Sequence, residues 1–344
     1  MKAIVLREFG GPEVLKLEEI ETPEPGPGEV LIRVHNVSVN VTLDTLIRRG
    51  LYPYKPSFPH VLGVDPTGEV VAVGPGVDRP VVGDRAAVHL HIRRPDCPPG
   101  REAEDTGDGL IGIHRWGGYA EYIAVPAENA FVVPDALSSA DACVVMRHLP
   151  TARHMLHKKA ELTDGETILV MGATGGLGSC CIQVAKRLGA TVIGAAGADD
   201  RVVKGIEFGA DYGVNYRSQN LAEEVMKRTD GKGVDVVAEN IGDPDLFPAA
   251  FESLARFGRM VTAGAHGGGK VMLDISRLYL RRIRIIGTPG CDFSDIEWSM
   301  EAARDGSIRP PVIDRIMPLT EAVAAHKLIE SRDAVGKILL DPSA

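Results

Sequence analysis

A chain of 344 residues exceeds the usual reach of one hydrophobic core and predicts two domains. Its 44% hydrophobic and 25% charged residues fit a globular protein, and 39 glycines suit α/β architecture with many tight connections. A net charge of -9 argues against a nucleic-acid partner, because phosphate backbones need a positive field, and no apolar run is long enough to span a bilayer.

Cysteines stand at Cys97, Cys143, Cys180, Cys181 and Cys291. An odd number without a C-x-x-C pair predicts free thiols and a reducing compartment, hence a cytoplasmic protein. In chain order, the first 126 residues alternate short β-rich runs with Gly and Pro. EVLIRV (29–34), GEVVAVG (68–74), DRAAV (84–88) and YAEYIAV (119–125) predict a mostly β module. PEPGPG (23–28) reads as a stiff turn, since a strand follows at once.

From about residue 162 the texture changes. Strand ETILVMG (166–172) leads into helix LGSCCIQVAKRLG (177–189), then strand ATVIGAA (190–196) and helix DRVVKGIEFGA (200–210). Strand GVDVVAENIG (233–242), a helix around 247–256, and strands GRMVTAGA (258–265) and RIRIIGT (282–288) follow. Such alternation predicts a doubly wound parallel sheet. After a helix at DIEWSMEAARDG (295–306), a short tail ending in GKILLDP (336–342) is expected to return to the first module.

The turn GATGGLG (172–178) sits between an apolar strand and an amphipathic helix, the context that a dinucleotide-binding turn requires. Gly175 and Gly176 carry no Cβ, so backbone can approach a pyrophosphate at the helix N-terminus. Gly178 lets the helix pack closely on the strand, and Ala173 takes the place usual for the first glycine. The second strand ends at 194–197 as Gly-Ala-Ala-Gly, without the acid that would meet a ribose 2′-hydroxyl. Arg201 and Lys204 lie just beyond, where a 2′-phosphate would sit. NADPH is therefore expected over NADH.

Across nearly its whole length the chain resembles the medium-chain dehydrogenase/reductase superfamily. The resemblance rests on MKAIVLREFGGPEVL (1–15), VLIRVHNVSVN (30–40), HVLGVDPTGEVVAVGPGV (60–77) with VGDRAAV (82–88), GGYAEYIAVPAENAFVVPDALS (117–138), the glycine turn and GKILL (336–340). It implies a GroES-like catalytic domain, at 1–127 and 290–344, split around a Rossmann cofactor domain at 128–289. It also implies a homodimer, acting on a small-molecule substrate without nucleic-acid or membrane partners. The implied cofactor set is Thr151, Ala173, Thr174, Gly175, Gly176, Leu177, Gly178, Ala196, Arg201, Tyr216, Gly264 and Lys337.

The superfamily has zinc-dependent and zinc-free branches. Where the zinc branch carries its Cys, its Gly-His-Glu and its third ligand, this chain has Val41, Gly63-Val64-Asp65 and Arg147. Valine has no lone pair to offer and arginine only donates, so no three-ligand zinc site is expected. Without a Lewis acid, hydride addition to a conjugated acceptor is favoured, because its charge spreads over an enolate.

DTLIRRGLYPYKPSFPHVLGVDPTGEV (44–70) is similar to the quinone oxidoreductase branch. That likeness assigns a polar role near the nicotinamide to Asn40 or Thr42, one residue of extra spacing before Asp44 leaving both open. It assigns a donor role to Tyr52 in GLYP (50–53), with a packed turn aromatic as the alternative, while Asp44 is expected to hold local backbone or a basic neighbour, with direct proton transfer as its alternative. Arg147 is expected either to contact substrate or to pair with Asp65. Arg93, Arg94 and Arg101 are expected in solvent, unless the substrate bears an acid, phosphate or coenzyme A group. The reading is a zinc-independent NADPH-dependent reductase of an activated C=C bond or quinone. Its alternatives are a zinc-free alcohol or aldehyde oxidoreductase and a non-enzymatic NADPH-binding sensor or scaffold.

Overall fold

Strand Glu29–Val39 organises the first part of the chain, because its alternating apolar residues bury Val30, Ile32, Val34, Val37 and Val39 almost completely. In the computed structural model, which describes residues 1–105, 109–331, 333–334 and 336–344, this strand pairs antiparallel with Thr67–Val73, Tyr122–Pro126 and Lys337–Asp341. The returning tail is thus the expected last strand. Its register sets Ile338 against Val39 and Leu340 against Val37, so the next step brings Lys337 to Asn40.

The chain divides into two units, Met1–Arg147 with Glu297–Ala344, and His148–Ile296. The expected boundaries at 127/128 and 289/290 therefore lie away from the observed divisions at 147/148 and 296/297. The physical reason at the first is the helix Ser139–Arg153, whose Cys143 and Val144 pack with Leu339 of the tail.

The second unit is a six-stranded parallel sheet in the order Tyr212–Asn215, Thr191–Ala196, Thr167–Met171, Val234–Glu239, Leu254–Thr262, Arg284–Gly287. Strand order reverses at Thr167–Met171, the switch point at which open α/β sheets bind ligands. Among the elements that escaped the sequence reading are strand Tyr212–Asn215 and helix Leu221–Arg228 of this unit. The strand has four residues and sits at a sheet edge, with only Val214 and Asn215 buried, so no apolar run marks it. The helix is announced by Asn220, whose side chain accepts from the Glu223 N–H. Among the described residues no helix is long and apolar enough to cross a membrane.

Candidate functional site

At the carboxyl end of Thr167–Met171 the glycine turn closes through Gly172, in the left-handed region at φ 64°. A Cβ at Gly178 would lie 2.1 Å from the Gly172 carbonyl oxygen, so strand and helix approach as closely as backbone permits. Ala173 is fully buried and donates its N–H to Ala195 O at 3.0 Å. Helix Gly176–Arg187 starts from Gly175, which provides no side-chain acceptor for the first-turn N–H groups. An anion such as a pyrophosphate fits that end.

The neighbouring strand ends complete the cradle. Ala196 is buried, and a Cβ at Gly197 would meet the Tyr216 hydroxyl at 2.9 Å, which places Tyr216 against the end of the second strand. Asp199 accepts from Asn215 Nδ2 at 2.6 Å, so this acid is engaged beside its own helix start. Arg201 is exposed, and so is Arg217, which follows Tyr216 and was missed by sequence reasoning because the strand before it was missed. Gly264 lies beyond Leu254–Thr262, where a Cβ would strike Asn240 O at 2.4 Å. Glu239 and Asn240 were also unforeseen. Buried Glu239 accepts the Ile241 and Gly242 N–H groups at 2.9 Å, and Asn240 Nδ2 donates to Met171 O at 2.9 Å, tying this loop to the first strand. Thr174 and Leu177 are half-buried in the turn, and Thr151 is half-buried in helix Ser139–Arg153.

The first unit holds a buried polar cluster. Asp65 accepts from Ser38 N–H (3.1 Å), Ser38 Oγ (2.6 Å) and Asn40 Nδ2 (3.1 Å). Asn40 Nδ2 also donates to Ser38 Oγ at 3.0 Å, and Lys337 Nζ donates to Asn40 Oδ1 at 2.7 Å. Lys337, expected among the cofactor residues, is thus placed in this cluster. Burial lowers its ammonium from the usual range, against the charge of Asp65. Asn40 spends its amide within the cluster, whereas Thr42 is exposed.

Asp44 accepts the backbone N–H groups of Asn40 (2.8 Å) and Gly63 (3.1 Å), as a local backbone holder should. Burial first, then the Asp65 charge, pushes its carboxyl up to about 7. The stability linked to its neutral form is present below pH 3.8 and lost as pH rises through about 7.

The expected Arg147–Asp65 pair does not form. Asp65 is filled by Ser38 and Asn40, and among the described residues Arg147 makes no ion pair or hydrogen bond; its Nε is buried without a partner. The loop arginines are occupied rather than simply solvated. Arg93 donates to Cys97 O and Glu128, Arg94 to Asp105, and Arg101 to Glu104. Tyr52 is half-buried, forms no hydrogen bond among the described residues, and sets its ring 6.1 Å from the tilted ring of Tyr54, which lies 5.5 Å from His114. Burial raises its phenol above 10.0, so it stays a donor at neutral pH. All five cysteines are buried thiols outside any disulfide.

Two buried histidines link stability to pH. His326 takes the Tyr119 hydroxyl on Nε2 at 3.1 Å and is pushed down to about 3, by burial first and then by Arg48. Its contribution is present above pH 6.5, where the unfolded chain is also neutral, and is lost as pH falls from 6.5 toward about 3. His89, likewise near 3 through burial, acts in the same direction. Substituting His326→Phe is expected to remove about 1.4 kcal/mol per pH unit from the acid slope of stability, read by urea unfolding between these limits.

The residues present do not fit a zinc ion where the superfamily's zinc branch holds one. Val41 is exposed, Val64 is fully buried, and Arg147 offers only donors. Elsewhere His154, Asp292 and Asp295 bring ligand atoms within 4.8 Å of one another. Lys158 already supplies the cation there, 2.6 Å from Asp292, while His154 Nδ1 lies 2.8 Å from Asp295. This is a buried ion network holding the turn His154–Lys159 to the start of helix Phe293–Arg304.

Comparison with known proteins agrees with this geometry. Residues 26–135 match the alcohol dehydrogenase GroES-like domain family and residues 176–305 the zinc-binding dehydrogenase family. Over 99% of both chains, the protein is 31% identical to a quinone oxidoreductase of Pseudomonas aeruginosa. It is 32% identical to an NAD-dependent alcohol dehydrogenase of Sulfolobus acidocaldarius, again over 99% of both. The structure of Escherichia coli quinone oxidoreductase complexed with NADPH superposes with a TM-score of 0.83 at 28% identity, covering 99% of this chain and all of that one. The chain is therefore an oxidoreductase that belongs to the medium-chain dehydrogenase/reductase superfamily, in its quinone oxidoreductase-like branch.

Proposed function

We propose that the protein is a zinc-independent, NADPH-dependent reductase of an activated C=C bond or a quinone. The observation that carries this reading is the donor set: Val41, Val64 and Arg147 occupy the zinc-ligand positions, beside an intact dinucleotide turn. NADPH, when bound, supplies the hydride. Residues 172–178 would take the pyrophosphate on the N-terminus of helix Gly176–Arg187, with Ala196 and Tyr216 beside the adenosine ribose. Arg201 and Arg217, which follow the second and third strands, would meet a 2′-phosphate, with Asp199 already engaged by Asn215.

Tyr52 donates to the acceptor's carbonyl oxygen as negative charge develops there, its hydroxyl having no competing partner among the described residues. The cluster of Asn40, Asp65 and Lys337 holds the strand ends that frame Asp44. Thr42, exposed and near this cluster, is the polar side chain left accessible. Initial rates with NADPH and NADH over an enone, quinone and aldehyde panel test the reading. Preference for NADPH and for conjugated acceptors is expected; equal use of NADH with aldehyde reduction contradicts it. Arg201→Ala should cut the NADPH preference about tenfold, as the loss of one charge-assisted contact would.

The protein is further proposed to be a cytoplasmic homodimer, joined through the second unit. Strand Arg284–Gly287 ends the sheet, and Met272, Ile275, Tyr279 and Leu280 beside it are 59–82% exposed. Substituting Leu280→Glu is expected to yield monomers in sedimentation velocity, whereas an unchanged dimer would place the contact elsewhere.

A further inference from the structure

Arg147 differs from most arginines of its unit, and from exposed Arg49, unpaired among the described residues, in being half-buried. Arg7, Arg33, Arg48, Arg85, Arg93, Arg94, Arg101 and Arg115 each hold a carboxylate within 4.0 Å. Half-buried Arg147 holds none among the described residues, and its Nε is fully buried with no acceptor. The helix Ser139–Arg153 fixes where it lies. One turn earlier on the same face, the Cys143 thiol donates to Asp65 O at 3.3 Å, so Arg147 projects beside the Asn40–Asp65–Lys337 cluster. Its charge is felt by Tyr52, by neutral His89 and by Lys337. Asp65, the nearest acid of that cluster, is already hydrogen-bonded by Ser38 and Asn40.

A half-buried guanidinium whose Nε is sealed from water without an acceptor, beside a buried lysine and a phenol with no hydrogen bond among the described residues, lacks an anion, and its planar fork matches a carboxylate. Resting on the reductase reading above, we propose that Arg147 binds a carboxylate carried by the substrate, so the preferred acceptor is an α,β-unsaturated carbonyl compound bearing a free acid group. The acid remains a carboxylate throughout. It takes two hydrogen bonds from the guanidinium and positions the conjugated bond for reduction without entering the chemistry.

The test uses a matched pair, trans-4-oxopent-2-enoate and its methyl ester, which share the enone and differ in the charge. Purified full-length enzyme with NADPH is expected to favour the acid in kcat/KM by at least about tenfold. In Arg147→Gln that preference falls to near one, mainly through the KM of the acid, and Arg147→Lys retains part of it. A wild-type enzyme indifferent to the charge, or a preference that persists in Arg147→Gln, overturns the proposal. If neither compound is reduced, the reductase reading has failed instead. Calorimetric binding of the saturated acid 4-oxopentanoate then decides the carboxylate site separately. Binding at least tenfold weaker in Arg147→Gln supports the site, and equal or absent binding overturns it.

Discussion

Gly178→Val is expected to abolish measurable NADPH binding, raising the dissociation constant at least about a hundredfold, and to lower the melting temperature by several degrees. A Cβ at this position would lie 2.1 Å from Gly172 O, 2.8 Å from Gly172 C and 3.3 Å from Ala173 Cα. All three are backbone atoms, so no side chain can rotate away. The helix must leave the strand or the turn must open, and overpacking of this kind costs about 1–3 kcal/mol before any ligand is considered. Either movement displaces the helix N-terminus from the anion it would hold. Gly290→Ala, where nothing lies within 4 Å, serves as the control and should leave binding and stability unchanged. Fluorescence titration with NADPH and thermal unfolding read both effects.

The second large effect is expected at Tyr52. Replacing it with phenylalanine should lower kcat/KM for an enone by about 10²–10³, the loss that follows removal of one donor aimed at developing oxyanion charge. Cofactor affinity should stay the same, because the cofactor turn belongs to the other unit. The half-buried ring keeps its packing against Tyr54 in the variant, so unfolding should shift little. A Tyr52→Phe enzyme with full kcat/KM would assign the proton to water and reduce Tyr52 to a packing residue.

The fold was legible because hydrophobic period and glycine punctuation carry it locally. ETILVMG followed by GATGGLG needs only adjacent residues to announce a strand, a tight turn and a helix start. Strand Tyr212–Asn215 was not legible, since an edge strand with two buried residues leaves no periodic trace. Side-chain partnerships across long separations were harder still. Lys337 meets Asn40 across 297 positions, and only the antiparallel register of the returning tail brings the two together. Pairing Arg147 with Asp65 matched charges correctly but could not foresee that Ser38 and Asn40 fill the acid first. Arg93, Arg94 and Arg101 show the converse, since exposed loop sequence concealed three specific acidic partners.

The same distinction applies to the chemistry. The expectation that no three-ligand zinc site forms is readable from Val41, Val64 and Arg147 alone, because it depends on residue type. Which donor would act in the proposed reaction depends on which polar atoms remain uncommitted after folding. Asn40 is consumed by its neighbours, while the Tyr52 hydroxyl and the Arg147 guanidinium are not bonded among the described residues.

Anaerobic turnover of a simple enone by NADPH, with chelator-treated, metal-free enzyme and chromatographic identification of the product, tests the central claim most directly. The saturated ketone should form at the rate of the untreated enzyme, with NADH much slower. Formation of the allylic alcohol, or activity that vanishes with the metal and returns with zinc, would contradict it.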